Sequence, residues 1–206
     1  MNRPILFNSP MVRAILDGRK TQTRRVMKPQ PENFEPNPDE NSVARVHVDG
    51  EYVGSGVVDD GACVHICPYG APGERLWVRE TWKPDPSFGY PAETKPRDMD
   101  SRTHVLYRAT LATDHPKAIW QRWRPSIFMP RWASRITLEI TDVRVERVQS
   151  ISVMDAQAEG CNGGGQFYRA YRDLWDSINA KRGFSWESNP WVWVLGFRRV
   201  ESEVTA

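Results

Sequence analysis

The sequence predicts an α+β fold, a small mixed β-barrel with flanking helices and long insertions. Three observations carry that prediction. The elements run strand, helix, strand, several strands, helix, helix, strand. Apolar residues alternate cleanly along 134–140 and again along 191–197, as half-buried strands require. The length, 206 residues, suits one well-cored domain over 1–206 with insertions at about 29–70 and 83–125.

Ile5, Leu6 and Phe7 form a short buried strand that feeds the first helix. That helix has start and stop signals: Ser9 as N-cap, Pro10 at the first helical position, Met11, Ile15 and Leu16 on one apolar face, and Gly18 as C′ residue. Pro29, Pro31, Pro36 and Pro38 then stiffen a polar excursion. Within it, Arg45-Val46-His47-Val48 before Asp49-Gly50, and Tyr52-Val53 after, signal a hairpin. Pro72-Gly73-Glu74 is a turn into a strand over 76–82. If Leu76 and Val78 face inward, Glu80 and Trp82 follow them, and a carboxylate on a core face needs Lys20 or an arginine as partner. The other reading is an outward Glu80 paired with an exposed base.

Residues 83–104 read as a surface loop and 105–107 as a strand. After 134–140 the phase slips: Val143, Val145 and Val148 lose the parity of Ile136 to Ile140, which predicts a bulge or bend near Asp142. Ser152-Val153-Met154-Asp155 resembles a capping box opening a short helix that carries Ala156, Ala158 and Glu159 and stops at Gly160. Phe167, Tyr171, Leu174, Trp175 and Ile178 repeat at helical spacing and form a core stripe. Asn189-Pro190 turns the chain into the last strand, 191–197, whose odd positions are all large and apolar; this strand closes the sheet.

Lys plus Arg is 28 against 26 for Asp plus Glu, so any nucleic-acid contact comes from local patches. One patch is 18–28. Another runs from Arg122-Trp123-Arg124 through Arg131, Trp132 and Arg135, where bases alternate with aromatics; it reads equally well as arginines snorkelling over a tryptophan-rich core. Three cysteines without a secretory signal point to reduced thiols in a cytoplasmic protein. No apolar run approaches the roughly 20 residues that span a bilayer, so no membrane partner is expected.

Gly18-Arg19-Lys20-Thr21-Gln22-Thr23-Arg24-Arg25 carries the functional reading. In a regular strand Thr21, Thr23 and Arg25 share one face and Lys20, Gln22 and Arg24 the other. A bulge after the glycine would bring Lys20 and Thr23 together. A second reading of the stretch is a solvated basic strand edge that discourages sheet-to-sheet pairing. A helix followed by G-x-K-x-x-T-x-R, here Gly18, Lys20, Thr23 and Arg25, resembles the signature of the ASCH domain family, which is similar to the RNA-binding PUA fold. In ASCH proteins similar to bacterial N4-acetylcytidine amidohydrolase, the lysine and threonine of G-x-K-T-x-T-x-R act with a glutamate in A-x-x-E. Ala156-Gln157-Ala158-Glu159 matches that second motif. The resemblance therefore implies a PUA-like barrel and a catalytic triad of Lys20, Thr23 and Glu159, with no cofactor. The whole chain, including Pro68-Tyr69-Gly70, 76–82 and Met129-Pro130-Arg131, is similar to the larger ASCH proteins of phages and prophages.

The chemistry follows from the residue types. Threonine is a weak nucleophile until a neighbour takes its proton. Lys20 can take it once burial, or the positive field of Arg19, Arg24 and Arg25, depresses its pKa; Glu159 would hold the lysine and pull that pKa back up. Arg25, or backbone N–H groups, would stabilise an oxyanion. The remaining candidate substrate-binding residues are Arg24, Glu80, Trp77, Trp82 and Tyr69, the three aromatics as stacking platforms for a nucleobase. Cys63, His65 and Cys67 share a face of an extended strand and are weak zinc candidates, since C-x-H-x-C is not a standard zinc knuckle. Three function classes remain: an amidohydrolase acting on an N4-acylcytidine-type nucleoside or nucleobase, a non-catalytic module that binds RNA or a modified base, and a metal-independent ribonuclease. A missing histidine in the motif counts against the last.

Overall fold

The computed structural model describes residues 2–30, 44–48, 51–59, 63–90, 94–111, 122–161 and 164–200. It is a mixed α+β fold. Strand β1 (Asn2–Leu6) leads into helix α1 (Ser9–Leu16), then β2 (Gln22–Val26), β3 (Ala44–Val48), β4 (Glu51–Asp59), β5 (Cys63–Ile66), β6 (Arg75–Arg79), β7 (Trp82–Pro84), β8 (Val105–Tyr107) and β9 (Thr137–Arg147). Helices α2 (Val153–Ala158) and α3 (Phe167–Asn179) precede the last strand, β10 (Trp191–Val200).

Five strands form one sheet in the order β1-β6-β9-β10-β2, with β1 parallel to β6 and β10 antiparallel to β2. The expected barrel closure is not seen: β1 and β2 end the sheet, and no pairing joins them among the described residues. Nor does β10 close the sheet. It lies between β9 and β2, which is why Val192 and Val194 are buried as well as Trp191, Trp193, Leu195 and Phe197. A strand with neighbours on both edges and core on both faces reads as a continuous apolar run. The expected hairpin is β3 with β4, and β5 adds a third antiparallel strand; β7 and β8 pair separately.

Local chemistry explains the element bounds. Asn8, one residue before the expected Ser9, caps α1, its side chain accepting the Met11 N–H at 3.0 Å. The helix ends at Asp17, and Gly18 takes φ 72°, a left-handed turn that releases the chain toward β2. The single strand expected over 76–82 is two strands, β6 and β7, broken at Glu80-Thr81. In β9 burial switches from Leu138 and Ile140 to Val143 and Val145, so the phase slip falls at Thr141-Asp142. Gly196 of β10 faces this break: a Cβ there would lie 3.0 Å from Thr141 Oγ1 and 3.2 Å from Asp142 Cβ. Ser152 and Asp155 form the full capping box of α2. In α3, Tyr171 and Trp175 are buried, but Ile178 is 45% exposed and Asn179 takes the inward position. The stripe therefore turns away from the core in the last helical turn.

The chain falls into two compact units, one made of Met1–Asp17, Arg75–Leu138 and Arg199–Ala206, the other of Gly18–Glu74 and Glu139–Arg198. In the first unit Trp82, Met99, Met129 and Ala133 form a core cluster, with Val105, Tyr107 and Trp132 against it. In the second, Val148, Ile151, Ala156, Cys161, Tyr171, Trp175, Trp186, Val192 and Val194 cluster beneath α2 and α3.

Candidate functional site

In the second unit the end of α2 meets the start of β2. Glu159 is the C-cap of α2, and Lys20 and Glu159 form an isolated antiparallel bridge. The Thr21 N–H donates to Ala158 O at 2.8 Å and the Phe197 N–H to Thr21 O at 2.8 Å, so backbone bonds fix both edges of the segment. Lys20 and Glu159, 139 residues apart, are 3% and 4% exposed. Lys20 Nζ donates to Glu159 Oε2 at 2.8 Å, to Glu159 O at 2.9 Å and to Gln22 O at 2.7 Å. An ammonium has three protons, and these bonds use all three.

Arg24, two positions along β2 from Gln22, lies on the same face. Its guanidinium meets Glu159 Oε1 at 3.4 Å, Glu146 Oε2 at 2.8 Å and Asp155 Oδ2 at 3.3 Å. Arg144 continues the network with Glu146, Asp142 and Asp155, and also donates to Gln22 Oε1 at 3.1 Å. A buried charge is tolerated only when paired and hydrogen-bonded. Here two arginines and a lysine interleave with four carboxylates. Arg24, expected as a substrate-binding group, is occupied by this lattice of acids.

Burial is the largest influence on Lys20 and lowers its pKa; the Glu159 charge and hydrogen bond pull it back up, and Arg25 pushes it down again. Burial also lowers the Arg25 pKa, opposed by Tyr69, Glu159 and Tyr171. Arg25 and Tyr171 therefore share the electrostatic surroundings of Glu159, and Tyr69 acts on Arg25. Burial raises Tyr171 well above the usual phenol range and Cys161 to about 11, which leaves both protonated near neutrality.

Thr23 is 4% exposed but leaves β2 on the face opposite Gln22 and Arg24, beside Leu195 of β10. Among the described residues no hydrogen bond joins it to Lys20 or Glu159. The bulge that would bring Lys20 and Thr23 together is not formed, because β2 pairs with β10 in regular register from Gln22 onward.

The remaining candidates lie in the first unit. Glu80 is 1% exposed and receives both arms of Arg135, at 2.9 and 3.1 Å. Its partner is thus Arg135, not Lys20, and burial raises its pKa against the opposing pull of that arginine. Trp77 is buried with Arg79 and Arg131 on its ring, and Trp82 is fully buried beneath Arg124. Neither indole is open as a stacking platform in this state. The side chains of Cys63 and His65 lie outside the described residues; Cys67 is buried. No cluster of three His, Cys, Asp or Glu residues able to hold a metal occurs among the described residues, and no helix there is long and apolar enough to cross a membrane.

Sequence reasoning missed Arg144, Glu146 and Tyr171. The first two have a faint signal, alternation on one face of β9 just after the phase slip. Tyr171 was legible only as a core residue. Comparison with protein-family models, curated proteins and solved structures finds no match.

Proposed function

We propose that the protein is an amidohydrolase that removes an acyl group from the exocyclic amine of a cytosine nucleoside or base, on a PUA-like fold of the ASCH type. The observation that carries this reading is the buried Lys20–Glu159 pair, 2.8 Å apart, with a lysine pKa lowered by burial. A lysine that deprotonates below its usual range is a usable general base, and the carboxylate that holds it sets its orientation.

In this reaction Lys20, once neutral, gives up its bond to Gln22 O and takes the proton of Thr23 Oγ through a water, since the two side chains make no hydrogen bond to each other. The oxygen attacks the acyl carbon, and the carbonyl pair moves to the oxyanion, which faces Arg25. Collapse breaks the C–N4 bond, and Lys20 returns its proton to the departing amine. Water then hydrolyses the acyl-threonine by the same proton path, giving a carboxylic acid and the free cytosine amine.

A second reading, a module that binds a modified base without turnover, is favoured by one observation. All three Lys20 protons are engaged and Thr23 stands apart from the pair. Hydrolysis of N4-acetylcytidine, followed through the loss of its acyl-cytosine absorbance, separates the two. The amidohydrolase reading expects turnover by wild type, a loss of at least 10²-fold in folded Lys20→Ala and Glu159→Ala, and partial rescue by Thr23→Ser of the rate lost in Thr23→Ala. Absence of turnover from folded wild type, on this substrate and on longer acyl groups, favours the binding module.

A further inference from the structure

We infer that the first unit carries a binding surface for single-stranded nucleic acid, built from arginines laid on tryptophan rings. Charge is divided unequally along the chain. The first unit holds 15 Lys and Arg against 9 Asp and Glu, and the second 13 against 17, together the 28 and 26 of the whole sequence. A near-neutral total conceals one basic and one acidic unit.

In the basic unit the cations and indoles pair in a series of rungs. Arg79 lies 4.7 Å and Arg131 5.7 Å from the centre of the Trp77 ring. The next residue after Arg131 is Trp132, whose ring meets Trp82 edge to face at 5.8 Å. Arg124 covers Trp82 at 5.1 Å, and its neighbour Trp123 carries Lys83 at 4.7 Å and Arg108 at 5.9 Å. Backbone bonds hold these rungs in place: Trp82 and Arg124 exchange two, and the Arg108 N–H donates to Thr81 O at 3.0 Å.

Arg108 and Arg131 are exposed, and neither has an acidic partner among the described residues. Arg79 likewise has none, and its Nε is buried without an acceptor. This contrasts with Arg24 and Arg144, each of which meets three carboxylates. A cation that rests against an indole has given up rotamer freedom in advance, so exposed Arg108 and Arg131 meet a phosphate or stack a base at low entropic cost. Trp123 and Trp132 are half-buried, and Ile127 and Phe128, exposed, lie between Arg124 and Arg131 in the chain. Charge with adjacent planar and apolar groups is the chemistry of a single strand, whose bases are open to stacking; a duplex offers phosphates alone at such a surface.

The inference is independent of the amidohydrolase reading, because it is read from binding with no turnover. Fluorescence anisotropy of labelled 20-mers of U and of T, beside a duplex of equal length, heparin and polyglutamate, tests it on the full chain. Expected is preference for the single strands over duplex and both other polyanions, with affinity falling steeply in salt. Arg108→Ala/Arg131→Ala should weaken single-strand binding about tenfold or more and flatten the logarithmic salt slope by roughly 0.7 for each phosphate no longer neutralised. Arg108→Lys/Arg131→Lys, which keeps the charge, should retain the slope but give weaker binding than wild type. No binding at low salt, equal binding of heparin or polyglutamate, or affinity unchanged in the folded alanine pair would overturn the inference and leave the arginines as covers of a tryptophan core. Preference for U over T, or the reverse, distinguishes an RNA from a DNA ligand.

Discussion

Two clusters, one in each unit, handle buried and half-buried cations in opposite ways. In the unit of Lys20, each inward-facing cation of the lattice meets a carboxylate: Lys20 with Glu159, Arg24 with Glu146, Asp155 and Glu159, Arg144 with Asp142, Glu146 and Asp155. In the other unit the guanidiniums of Arg79, Arg108, Arg124 and Arg131 lie against indole rings, and Arg135, over Tyr107, is locked to buried Glu80. An acid lattice fixes charge geometry inside the protein. An aromatic ladder leaves charge available to the outside.

The sharpest way to break this comparison is at Arg24. Arg24→Met removes a fully buried cation that meets three carboxylates, and the expected loss is about 3–5 kcal/mol in urea unfolding followed by circular dichroism. Arg135→Ala is the corresponding break in the other unit. It leaves Glu80 buried without its fork of donors and should cost about 3 kcal/mol at neutral pH. That cost shrinks on acidification. Burial raises the Glu80 pKa in the folded state, so the folded protein binds the proton before the unfolded chain does. The destabilisation then grows as pH rises above 4.5 and fades as pH falls toward that value. Unfolding of the variant at pH 7 and pH 5 measures the difference. Lys20→Met should cost less, about 1–2 kcal/mol, because Glu159 keeps Arg24 as a partner. The smallest effect belongs to the ladder: Arg108→Ala and Arg131→Ala each remove a cation–π contact at an exposed site, and stability should fall by about 1 kcal/mol at most.

Much of the second unit was legible because its signals are local. Gly18, the Ser152–Asp155 capping box and the Phe167–Trp175 stripe depend on short-range geometry, and the structure differs at such local features only by small shifts such as Asn8 for Ser9 at the cap of α1. The phase slip at Asp142 was readable because a two-residue period exposes a single irregular step. Strand order was not legible. That β10 lies inside the sheet and that β1 and β2 stand at its ends follows from long-range pairing, which alternation alone does not encode. The Lys20–Glu159 contact was implied by the family resemblance of the two motifs, whereas the occupation of Arg24 by acids was hidden. Glu146 and Asp155 lie 122 and 131 residues from it, and no local rule links them. Likewise arginines over a tryptophan-rich core were one of two readings of the 122–135 stretch, but which tryptophan lies beneath which arginine needed the packed fold.

The central claim is that Lys20 moves protons while Glu159 orients it, so that the pair does more than brace α2 against β2. The most direct test is kcat/KM for N4-acetylcytidine against pH, for wild type and for Glu159→Gln, which keeps the hydrogen-bonding shape and removes the charge. Burial lowers the Lys20 pKa and Glu159 raises it, so the wild-type rate should climb with pH to a plateau through a value below 10.5, as the neutral amine becomes available. In Glu159→Gln that rising limb should move to lower pH, with a smaller rate at the plateau. A folded wild type with no turnover, or a rising limb that stays in place in Glu159→Gln, would contradict this claim and reduce the pair to a structural contact.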